Sequence, residues 1–150
     1  MEFQIVNEVA DHFQLPFKSI QIVGSAKTGY SFPQQRDFIP GESDLDLAII
    51  SAELFSDCLT EAYDQTEGYT TDIPFRTVER KNTFRKYVSL GLIHPHYFPD
   101  GPFKEKWNIF FKKLSENYED YFKDITAVVY MNQYLFEMKQ YRAIEDYLEA

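Results

Sequence analysis

The sequence predicts an α/β (α+β) fold: a small β-sheet packed against several helices, with a mostly helical C-terminal half. Three observations predict it. Segments 18–24, 44–50 and 125–131 are short apolar runs rich in β-branched residues or alternating in polarity, as strands are. The stretches around them carry apolar residues at helical spacing. Gly and Pro gather at the junctions, where the chain must turn.

Taken in order, residues 2–14, "EFQIVNEVADHFQ", hold Phe3, Val6, Val9, Ala10 and Phe13 at helical spacing, with Pro16 as a stop. "KSIQIVG" reads as a buried strand ending at Gly24. Residues 29–43 contain Gly29, Pro33, Pro40 and Gly41 and are expected to form a long loop. "DLDLAII" alternates Asp44, Asp46 and Ala48 on one face with Leu45, Leu47 and Ile49 on the other. A helix follows over 52–65 with Ser51 as N-cap, and another over about 78–90 ending at Gly91. "IHPHYFPDGP" is too rich in Pro for regular structure and is expected to connect. "FKEKWNIFFKKLSENYEDYF" is a packing helix whose stripe runs from Trp107 through Phe110, Phe111 and Leu114 to Tyr118, Tyr121 and Phe122. Residues 125–131 form the third strand, and helical spacing resumes from Gln133 to Glu149 through Leu135, Met138, Tyr141, Ile144 and Leu148. With no repeat or linker in 150 residues, one domain over 1–150 is expected, with a helical C-terminal extension over 75–150.

Composition narrows the function classes. A formal charge of −9 gives a field that repels nucleic-acid backbones, so non-specific nucleic-acid binding is disfavoured. A compact nucleotide is compatible with that charge where a divalent cation or local donors reverse the sign. The single Cys58 has no partner in the chain and fits a reducing, cytoplasmic setting. No apolar run approaches the ~20 residues that cross a bilayer, so no membrane contact is expected.

The chemistry concentrates in "GESDLDLAII". Acids two apart on a strand lie ~6.6 Å apart along the backbone and lean over one face. At ~5 Å and an effective dielectric near 20, two such charges repel by roughly 3 kcal/mol unless a cation neutralises them. Carboxylate oxygens suit Mg²⁺ or Mn²⁺. Some twenty residues earlier, "IVGSAKTGY" ends the first strand in Gly24-Ser25, a turn whose backbone N–H groups and hydroxyl suit phosphate oxygens.

Strand, Gly-Ser, a second Gly, then Ser-Asp-x-Asp on the next strand resembles the nucleotidyltransferase superfamily typified by DNA polymerase beta. The matching residues are Gly24, Ser25, Gly29, Ser43, Asp44 and Asp46, within a core of about residues 18–50. The resemblance implies a mixed sheet of the nucleotidyltransferase type. It also implies Mg²⁺ (or Mn²⁺) held by Asp44 and Asp46, a nucleoside triphosphate such as ATP contacted by Gly24, Ser25 and Ser43, and transfer of its nucleotide monophosphate to a hydroxyl with release of pyrophosphate. Lys27 is a further candidate phosphate contact. The remainder, from "NTFRKYVSLGLIHPHYFP" onward, resembles a group of bacterial nucleotidyltransferase-like proteins linked to conflict systems, which adds a protein partner to the expected contacts.

The superfamily adds a third carboxylate from a later strand. Residues 125–131 contain no acid, which leaves Asp124, Glu137 and Asp72, the last if "YTTDIPF" forms an extra strand. Without that acid the alternative is a catalytically inactive binding or antitoxin-like module. His94 and His96 flank Pro95 but lack further ligands nearby and read as solvated imidazoles. Cys58 and the aromatics Phe84, Tyr87, Trp107, Phe110 and Phe111 read as packing.

Overall fold

The structure is a computed structural model that describes residues 1–24, 30–31, 36–37 and 39–149. Its centre is a four-stranded mixed sheet of β1 (Ile20–Val23), β4 (Leu45–Ile50), β6 (Ile125–Tyr130) and β5 (Leu92–Ile93), in the order β1-β4-β6-β5. β1 runs antiparallel to β4, β4 parallel to β6, and β5 antiparallel to β6. Around the sheet lie α1 (Glu2–Phe13), α2 (Ala52–Gln65), α3 (Val78–Ser89), α4 (Pro102–Asn117) and α5 (Gln133–Glu149). Inside the expected long loop, β2 (Tyr30–Ser31) pairs antiparallel with β3 (Arg36–Asp37).

The period-two pattern of β4 sorts the molecule into two layers. Leu45, Leu47 and Ile49 point into the main core, where they meet Ile125, Ala127 and Val129 of β6 and the apolar stripes of α1, α2 and α4. Each buried aliphatic side chain there contributes about 1.5–3 kcal/mol. Ala48 points the other way and packs with Leu92, Tyr130 and Phe136, so α5 covers only part of that second face. Asp46 belongs to the second face by the same alternation.

Local chemistry explains the ends of the elements. Gln14 closes α1 in the left-handed conformation. The Ser51 hydroxyl accepts from the Leu54 N–H at 3.1 Å and caps α2, and Thr77 accepts from the Arg80 N–H and caps α3. Gly91 turns at φ 83°, and a Cβ there would lie 2.2 Å from a Leu135 methyl, so only glycine lets β5 enter beneath α5.

Three expectations need correction. Residues 93–102 are not an irregular connector throughout: Ile93 joins Leu92 in β5, and Pro95–Tyr97 form a 3₁₀ turn. The aromatic stripe does not carry α4 to Phe122. The helix ends at Asn117, and Phe122 is buried from the turn beyond it. "YTTDIPF" forms no strand; Ile73–Phe75 are 3₁₀, and Asp72 pairs with Lys81 at 2.6 Å. Among the described residues no helix is long and apolar enough to cross a membrane.

Candidate functional site

Pairing register assembles the site. Val23 lies opposite Asp46 across the antiparallel ladder, and Thr126 lies beside Asp46 across the parallel one, so the three share a sheet face. Gly24 follows directly, turning at φ 72°. A Cβ on Gly24 would sit 2.9 Å from Asp46 Oδ2. The turn that ends β1 therefore lies against the carboxylate of β4, and glycine at that position leaves the space between them open.

Thr126 donates its hydroxyl to Asp46 Oδ1 at 3.1 Å, which fixes one carboxylate oxygen. Burial pushes the Asp46 carboxyl above its ordinary pKa, the Thr126 hydrogen bond pulls it partly back, and the Asp44 charge pushes it up again. The Asp44 contribution means the two carboxylates feel each other. Asp44 Oδ1 is buried and has no hydrogen-bond partner among the described residues. A buried acceptor without a donor is costly, and a cation is the kind of group that would satisfy it.

Ser43 is tied into the fold. It is buried, and its hydroxyl accepts from the Ile39 N–H at 2.8 Å while its own N–H donates to the Ile39 carbonyl. Those bonds shape the turn that delivers Asp44 to the start of β4. Ser25, Lys27 and Gly29 lie outside the described residues.

None of the three candidate extra acids joins the pair. Asp72 is tied to Lys81, and Glu137 accepts from Gln133 on α5 at 3.1 Å. Asp124 is exposed immediately before β6, and its carbonyl accepts from the Leu45 N–H at 2.9 Å. Among the described residues no three acids, histidines or cysteines form a group that holds a metal. The donor set is thus two carboxylates, Asp44 immediately before β4 and Asp46 on it, and it fits a hard divalent ion that completes its shell with water and substrate oxygens.

Thr126 was not singled out in the sequence, because its role depends on the β4–β6 register. Of the two histidines expected to be solvated, His96 is exposed, but His94 is half-buried: it stacks on Tyr87, and its Nδ1 accepts from the His96 N–H at 3.3 Å. Cys58 is fully buried, and its thiol is pushed up to about 12 by burial and the nearby Asp57 and Glu61 charges. No family model, curated protein or solved structure matches the chain.

Proposed function

We propose that the chain is a cytoplasmic, Mg²⁺- or Mn²⁺-dependent nucleotidyltransferase, passing a nucleotide monophosphate from a triphosphate such as ATP to a hydroxyl and releasing pyrophosphate. One observation carries the reading: a positive-φ glycine turn lies against Asp46, and an Asp44 oxygen lacks a hydrogen-bond partner among the described residues. Asp44 and Asp46 would hold the cation, which when bound supplies Lewis-acid neutralisation of phosphate oxygens. Thr126 fixes the orientation of Asp46, and Gly24 keeps the approach to that carboxylate clear for phosphate. The test is incubation with α-labelled triphosphates and Mn²⁺, following pyrophosphate release and transfer of label. The reading expects both, and their loss in Asp44→Asn and in Asp46→Asn.

A specific observation favours a second reading, a non-catalytic nucleotide-binding module. Thr126 stands on β6 directly beside Asp46, the side from which the resemblance expects a third acid, and a threonine accepts no proton there. This reading expects triphosphate to bind without pyrophosphate release. It also expects Thr126→Asp, which builds a third carboxylate at that register, to raise Mn²⁺ affinity. Unchanged Mn²⁺ affinity in Thr126→Asp counts against it.

A further inference from the structure

A groove of about 510 Å³ runs between α4 and the free edge of β6, on the far side of that strand from β4. That volume is within the roughly 300–1,000 Å³ of ligand clefts. The direction of each backbone group in β6 can be read from its neighbours. Even-numbered residues face β4: the Asp124 carbonyl accepts from Leu45 and the Tyr130 carbonyl from Ser51. Odd-numbered residues face away: the Met131 N–H donates to the Gly91 carbonyl and the Ile125 N–H to Ser115 Oγ, each at 2.9 Å. Ala127 lies midway in the odd set, so its N–H and C=O face the groove.

Pro95 keeps that window open. β5 pairs with β6 through Leu92–Tyr130 and Ile93–Val129, and the same register carried on would set residue 95 opposite Ala127. Proline has no N–H to give the Ala127 carbonyl, and the chain departs instead into the 3₁₀ turn. Among the described residues no strand of the sheet pairs with Ala127 on this side. The result is a gap one residue pair wide, bounded by Ser115 and Pro95 and walled by Trp107 and Phe111.

The groove is also electrically polarised. Just beyond the Pro95 end, behind the lining, Arg80 donates to the carbonyl of His96, while Lys104 is turned inward onto the His96 and Phe98 carbonyls and onto Asp100, which also pairs with Arg76. At the Ile125 end stand Glu116, Glu119 and Asp124, offset in part by Lys112 and Lys123. In a chain of net charge −9, the surplus of cations at one end is a local exception.

We propose that this groove docks an extended peptide segment of a partner protein, one residue of which exchanges both main-chain hydrogen bonds with Ala127 while a carboxylate side chain reaches Arg80 beyond the Pro95 end. A strand edge inside a groove is matched by another main chain, which offers a donor and an acceptor in register. A nucleic-acid strand offers no such ladder and is repelled by the acids at the other end. The groove's lining includes Thr126, which also bonds Asp46, but the Ala127 window faces away from β4, and neither outcome of the nucleotidyl-transfer assay bears on it.

Trp107 is the chain's single tryptophan and lines the groove, so its fluorescence reports occupancy. The probe is a blocked hexapeptide of sequence DEVTVT, titrated to millimolar concentration. Two further forms carry N-methyl groups on alternate residues, one set in each, and a fourth peptide is KKVTVT. The expected result is saturable change with DEVTVT, at least tenfold weakening by one N-methyl set with the other set tolerated, and weaker binding of KKVTVT. Arg80→Glu, checked for an unchanged melting profile, should reverse the order of DEVTVT and KKVTVT. No Trp107 response to DEVTVT, equal effects of the two N-methyl sets, or indifference to the sign of the peptide's charge each overturns the proposal.

Discussion

Gly24→Ala tests the contact on which the site is built. At φ 72° an alanine occupies the left-handed region, which costs about 1–2 kcal/mol relative to glycine. Its Cβ would then lie 2.9 Å from Asp46 Oδ2, closer than real side chains tolerate. Asp46 cannot swing aside freely, because its other oxygen accepts from Thr126; losing that hydrogen bond costs about 0.5–1.5 kcal/mol. Together these give about 1.5–3.5 kcal/mol of destabilisation. At about 2–4 °C per kcal/mol for a chain of this size, melting should fall by about 3–14 °C, read by circular dichroism or calorimetry. The same variant should lack the rise in melting temperature that the proposed site predicts for the parent with triphosphate and Mg²⁺. A fall of less than about 2 °C, with that rise intact, would refute the close approach of the β1 turn to Asp46.

Two other outcomes follow from the electrostatics. Burial and Asp44 both disfavour the charged form of Asp46, so its folded pKa is raised and its contribution to stability declines as pH rises above the ordinary carboxylate range. Asp46→Asn should raise the melting temperature in EDTA at neutral pH; a lowered melting temperature would count against it. His94 is held below its ordinary pKa by burial, then by His96 and Lys139, so below pH 6.5 the unfolded chain binds the extra proton more readily. Its stability contribution is intact above that pH and declines as pH falls through 6.5 toward the lower folded value. His94→Phe, which keeps an aromatic ring against Tyr87, should flatten the melting profile between about pH 7 and 5; a variant as pH-sensitive as the parent would assign that slope elsewhere.

Much of the fold is legible where a pattern repeats. The alternation of β4, the β-branched run of β1, the serine cap at Ser51 and the helical spacing of α5 each announce an element over enough residues to show a period. β5 is too short for that: Leu92 and Ile93 span a single period between Gly91 and Pro95, and only the partner strand makes them a strand. α4 misleads in the opposite direction. Phe122 continues the helical spacing in sequence, yet it is buried from a turn, because apolar spacing records what is buried and not the path taken. The acid pair and the glycine turn are readable from local chemistry. Thr126 is not, since its contact with Asp46 arises from parallel pairing between residues 80 apart in the chain, and register between distant strands leaves no mark in a single sequence.

The central claim is that Asp44 and Asp46 form a cation site that binds a nucleotide's phosphates together with the turn at Gly24. Mn²⁺ titration followed by electron paramagnetic resonance, with and without a non-hydrolysable triphosphate, measures it most directly. The account predicts binding in the parent that tightens with the triphosphate and disappears when Asp44→Asn and Asp46→Asn are combined. Equal Mn²⁺ binding by the parent and the doubly substituted protein would contradict it.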